Sequence, residues 1–170
     1  MAEPRGRTIE DSASCQLSPE RLFDLLANPT ERQKWDLCPS YIAQEPVEAA
    51  PGPALQGARY TARGTARGIA FTGTTLVMAS DRPRRYQTSS QTKFERAYPD
   101  AAAIEEYRIE PDGTGSRVHY TMTFVKTPGT GAFLTRLLSD LLEPLVAAGA
   151  AKRNFRNTLA YAEKHAGMKA

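Results

Sequence analysis

Cysteine and histidine are nearly absent from the chain, with two of each in 170 residues. Cys15 and Cys38 sit at no metal-like spacing, which argues against zinc, and in a reducing compartment they read as free thiols. Long apolar runs are absent too. The longest, Leu145 to Ala151 with Gly149 inside it, falls far short of the ~20 residues a membrane-spanning helix needs. Met1 to Arg7 lacks the apolar centre of a secretory signal, so a cytoplasmic location is expected. Basic runs end at pairs such as Arg84-Arg85, and the net charge is only +3, from 22 basic and 19 acidic residues. A nucleic-acid binder gathers its cations on one face with aromatics interleaved, and no such segment occurs. There is no internal repeat or low-complexity tract, and the Ala- and Pro-containing stretch Glu45 to Ala54 reads as a loop. What remains is ordinary globular composition, 41% hydrophobic and 24% charged. At this length a single domain over 1–170 buries about 70% of its unfolded surface and needs no staples.

Residues Arg7 to Gln16 alternate, with Ile9, Asp11, Ala13 and Cys15 on one side, which predicts a half-buried strand. Ser18-Pro19 predicts a capped helix start, and Leu22, Phe23, Leu25 and Leu26 form its apolar face. A second start follows in Asn28-Pro29-Thr30-Glu31, with Asn28 as the cap and Glu31 where a capping-box acid would stand. Six strands are expected next, at about 40–48, 57–65, 69–79, 84–93, 101–110 and 116–125. Pro111-Asp112-Gly113-Thr114-Gly115 joins the last two as a hairpin. After Thr127-Pro128-Gly129 the period becomes helical. Leu134, Leu138, Leu141, Leu145, Ala148, Lys152, Phe155, Leu159 and Ala162 make one stripe on a helix of ~30 residues, bent at Pro144.

The expected fold is therefore α+β: a seven-stranded antiparallel sheet, two short helices after the first strand, and a long C-terminal helix covering the apolar face. Leu17 to Pro29 with Trp35, the turn from Ser80 to Tyr86, Gly113 to Val118 and the terminal helix carry a resemblance over nearly the whole chain. It resembles the helix-grip fold of the START-like or SRPBCC superfamily, which includes polyketide cyclases, Bet v 1-type proteins and lipid carriers. The resemblance implies a cavity between sheet and helix for a hydrophobic small molecule, with no shared catalytic signature. Two functions from different classes follow. One is a cyclase/dehydratase-like enzyme that folds its substrate and moves a proton; the other is a carrier or sensor of a lipid, quinone or similar ligand that converts nothing.

The residues themselves suggest where such a cavity would lie. Ala147 to Ala151 has minimal side chains, which either leave volume or let the helix approach the sheet closely. Leu141, Leu145 and Ala148 would then line it. On the last strand Val118, Tyr120, Met122 and Phe124 share the inward parity, which leaves His119 outside. His165 reads as a cation near a helix C-terminus. Tyr107 and Ile109 share parity with Glu105, a carboxylate suited to proton transfer if it faces an apolar cavity, with Tyr107 or Tyr120 orienting a substrate oxygen. A one-residue bulge would instead turn Glu106 inward. Asp11 makes a similar case on the first strand.

Tyr86, Thr88, Ser90 and Thr92 share one parity of a strand polar on both sides; they read either as an exposed section or as a cavity wall that favours an oxygen-bearing ligand over a plain chain. Tyr60 faces the same way from its strand. Arg59, Arg63 and Arg67 recur on the opposite parity, as a solvated outer face or a site for an acidic carrier protein. Lys152 reaches either solvent or a ligand, and Trp35 either gates the opening or plugs the core. No metal or cofactor is called for, and both a monomer and a homodimer remain compatible with the sequence.

Overall fold

The computed structural model describes residues 6–32, 34, 42–45, 47–66, 69–95, 100–125, 149 and 151–165. The chain runs β1 (Gly6–Cys15), α1 (Pro19–Leu26), α2 (Pro29–Arg32), β2 (Ile42–Gln44), β3 (Arg59–Ala66), β4 (Ile69–Asp81), β5 (Arg85–Phe94), β6 (Ala101–Asp112) and β7 (Gly115–Val125). A third helix, α3, occupies 151–165. The expected start of that helix, its stripe from Leu134 to Ala148 and the bend at Pro144 lie outside the described residues. So do Trp35, Cys38 and Arg67.

Six long strands and the three-residue β2 form one antiparallel sheet in the order β1-β7-β6-β5-β4-β3-β2. The strand expected at 40–48 is the one that shrinks. Past Gln44 the described residues add one bond from the Glu45 amide to the Arg63 carbonyl, at 2.8 Å, and an isolated bridge, Glu48 to Thr61. β4 carries a register shift between Val77 and Ala79, and Met78 between them is 43% exposed, on the same parity as the exposed Thr72 and Thr74.

Local chemistry explains the two short helices. The Ser18 hydroxyl accepts from the Arg21 amide, and Pro19 sits where a missing N–H costs nothing. Asn28 Oδ1 accepts from the Thr30 hydroxyl at 2.8 Å and from the Thr30 and Glu31 amides at 3.2 and 3.4 Å. Glu31 does not close a capping box; it pairs with Lys34 at 2.8 Å. The β6–β7 turn needs glycine twice. Gly113 has a positive φ of 60°, and a β-carbon on Gly115 would run into the Cys15 carbonyl oxygen, so only glycine lets β7 begin that close to the end of β1.

The core lies between the concave face of the sheet and the helices. Leu22, Phe23 and Leu26 of α1 and Phe155, Leu159 and Ala162 of α3 pack with Tyr107, Ile109, Val118 and Tyr120 of the sheet. Leu22 and Phe23 are fully covered, and burying such a side chain contributes about 1.5–3 kcal/mol. Cys15 is a buried free thiol, pushed up to about 11 chiefly by loss of solvent, so it stays protonated and weakly reactive near neutral pH.

Candidate functional site

A cavity of about 460 Å³ lies between the concave face and α3, reached by side chains from α2, β3 to β7 and α3. Alternation decides its walls. Tyr107 on β6 stands opposite Tyr120 on β7, and Glu105 stands opposite both Met122 on β7 and Thr88 on β5. No bulge interrupts either pairing, so Glu105 faces inward and Glu106 outward. Tyr60, Thr88, Ser90, Met122 and Phe124 also line the cavity as their parity predicts. Thr75 and Thr92 extend the hydroxyl-bearing wall.

At the floor, three side chains converge on one carboxylate. Arg32 Nη2 donates to Glu105 Oε2 at 2.5 Å. The Tyr107 and Tyr120 hydroxyls both donate to Glu105 Oε1, at 2.9 and 3.0 Å. The Arg32 guanidinium also lies 5.6 Å from the centre of the Tyr107 ring, within cation–π range. Phe155 of α3 stacks on Tyr120 with centroids 4.9 Å apart and planes 6° from parallel. Burial, with the Glu105 charge adding to it, pushes the Tyr120 phenol far above its ordinary range, so it remains a neutral hydroxyl. The arrangement can anchor the polar end of an otherwise apolar molecule, and it can pass a proton along the bonds from phenol to carboxylate.

Arg32, Asn154 and Thr158 line this cavity without having been singled out by sequence. Arg32 ends a four-residue helix, too short for periodicity to aim its side chain. The signal available was the Asn28-Pro29 cap, which fixes where α2 begins and hence which way its last residue points.

Three expectations are corrected. Asp11 does not join Glu105: both its oxygens accept from Arg156, at 3.0 and 3.1 Å, and this pairing holds its carboxyl below the usual range. Its parity points toward α3, but α3 brings a cation to meet it. Lys152 is exposed on α3 and does not line this cavity. Tyr86 faces inward but packs edge-on to Phe23 with centroids 6.0 Å apart, under α1 and beside the cavity. Its hydroxyl is buried next to Tyr60, and loss of solvent pushes it up. It makes no hydrogen bond among the described residues. Leu141, Leu145, Ala148 and Trp35 fall outside the described residues.

The outer face is as polar as expected. His119 is exposed near Glu110, and Arg63 pairs with Glu48 at 2.7 Å. His165 Nδ1 lies 2.9 Å from the Tyr161 carbonyl. A broader surface groove of about 630 Å³ between α1 and the loop at Pro53 and Leu55 is crossed by the Arg82–Asp24 pair. It contains none of the convergent groups described above. Among the described residues, no three His, Cys, Asp or Glu side chains are placed to hold a metal ion. Among them, too, no helix is long and apolar enough to cross a membrane.

Comparison with known proteins follows the same lines. Residues 7–167 match the family model described as polyketide cyclase/dehydrase and lipid transport. Protein CV1439 from Chromobacterium violaceum superposes with a TM-score of 0.66 at 16% identity, over 92% of this chain and 96% of that one. Protein Ms6760 from Mycobacterium smegmatis gives 0.64 at 15%, over 100% and 97%. Ara h 8.0201 gives 0.59 at 15%, over 92% and 97%. At such identities these likenesses speak for the fold alone. No curated protein is matched by the sequence.

Proposed function

The chain belongs to the polyketide cyclase/dehydrase and lipid transport family, and from that premise we propose that it binds a hydrophobic, oxygen-bearing small molecule in the chamber between sheet and α3. The observation that carries this reading is the convergence of Arg32, Tyr107 and Tyr120 on Glu105 within a cavity otherwise walled by hydroxyls, aromatics and Met122. Apolar walls with a few convergent polar groups are the usual make-up of a small-molecule site.

Of the two uses for such a chamber, the geometry favours holding over converting. Glu105 already takes three donors, so acting as a base requires it to give up or share those bonds. The cyclase/dehydratase reading keeps one specific support. Both phenols end on the same oxygen, Oε1, so a proton leaving a substrate bound at either tyrosine has a path to the carboxylate. Folding a flexible substrate against the walls would supply much of the remaining acceleration.

The test is a Nile red titration, with native mass spectrometry of the freshly purified protein to find a co-purifying compound. Ala62→Phe, which fills the cavity from β3, is expected to abolish dye binding while keeping the dichroism of the fold. Unchanged dye affinity in that variant overturns the reading. For conversion, a co-purified compound should change mass on incubation with the wild type and not with Glu105→Gln; an unchanged mass in both favours the carrier.

A further inference from the structure

Resting on the reading that the chamber holds a small hydrophobic molecule, we propose that this molecule is uncharged and docks by a hydroxyl that donates to the Tyr120 oxygen, so that carboxylates are excluded. Two observations carry this. The first is charge. Among the described residues the cavity is lined by one cation and one anion, Arg32 and Glu105, and they meet at 2.5 Å. Their charges cancel, so the chamber has no net pull on an anion. The side of the pair nearest the phenols is the negative one.

The second is hydrogen-bond polarity. The polar atoms beside the Tyr120 hydroxyl, Glu105 Oε1 at 3.0 Å and Met122 Sδ at 3.3 Å, are both acceptors. A phenol has one hydrogen, and here it is committed to that side. Tyr120 therefore offers a ligand lone pairs, and the stack on Phe155 fixes where they point. An alcohol or phenol can fill that position. A carboxylate would set acceptor against acceptor beside a like charge, in partly covered surroundings that screen it less than bulk water does. The hydroxyls of Thr75, Thr88, Ser90 and Thr92 rotate to serve either partner and do not discriminate.

The test uses three probes on one ring system, 2-hydroxyanthracene, 2-methoxyanthracene and anthracene-2-carboxylate, displacing Nile red at about pH 7.5, where the phenol is neutral and the acid ionised. The hydroxy compound is expected to bind about tenfold tighter than either of the others. Tyr120→Phe should bring the hydroxy and methoxy compounds to about equal affinity. Glu105→Gln leaves Arg32 uncompensated and should raise carboxylate affinity about tenfold. If either variant fails to fold, the order of the three probes on the wild type decides by itself. Equal or tighter binding of the carboxylate to the wild type overturns the proposal, as does a hydroxy preference that survives in Tyr120→Phe or failure of all three probes to displace the dye. If Nile red itself is not bound, the ligand-chamber reading falls as well; if it is bound and the order of probes is wrong, this proposal alone falls.

Discussion

Glu105 and Glu106 are neighbours on β6 with opposite surroundings, and the contrast separates a site from a structural network. Each accepts three donors. Those on Glu105 are Arg32, Tyr107 and Tyr120, all lining a cavity. Those on Glu106 are Arg85, Gln87 and Arg108 on the convex face. Glu106 is the more covered of the two, with its side chain 9% exposed against 15% for Glu105. Burial and satisfied hydrogen bonds are therefore poor markers of function. What distinguishes Glu105 is that its donors border empty space.

Removing one arginine from each network should break the contrast most visibly. Arg32 is 9% exposed and Arg108 is 66% exposed. Arg32→Met strands a covered carboxylate and should cost about 3 kcal/mol in urea unfolding. Arg108→Met leaves Glu106 its other two donors and should cost under about 1 kcal/mol. Equal losses would mean that the chamber pair is no more enclosed than the outer one.

The next largest effect is a rescue. Adding Glu105→Gln to Arg32→Met removes the stranded charge and should return at least about 1 kcal/mol. The corresponding change on the outer face, Glu106→Gln in Arg108→Met, should return nothing, because Arg85 still compensates Glu106.

Asp11 supplies the smallest and most easily screened case, since its partner Arg156 is largely exposed. The pair lowers the native pKa of Asp11 below its ordinary value of 3.8. Its contribution is therefore full above that value and lost as the pH falls through the lowered native one. Between about pH 4 and pH 2 the wild type should lose stability more steeply than Asp11→Asn. Parallel acid-unfolding curves would show that the pair contributes nothing.

The same contrast shows how far the sequence could be read. Alternation alone placed Glu105, Tyr107, Tyr120, Met122 and Phe124 on one face, because a strand's period of two is rigid once the sheet is assigned. Alternation says nothing of depth along the strand. Tyr86 has the right parity and still lies beneath α1, where Phe23 meets it. Nor does it name partners far away in sequence. Arg156 reaches Asp11 only because α3 lies across β1, and Arg32 reaches Glu105 only because one helical turn ends at the cavity. The strand expected at 40–48 is too long for a different reason: an edge strand paired on one side leaves little trace of its ends in composition.

The parallel, stacked rings of Tyr120 and Phe155 have one further consequence. One ring belongs to the sheet and the other to the helix, 4.9 Å apart, so each lies in the magnetic shielding cone of the other. The spacing between the two layers is thus written into the aromatic proton resonances of Phe155. A guest that wedges the layers apart would move those signals downfield, a native gauge of occupancy that needs no dye.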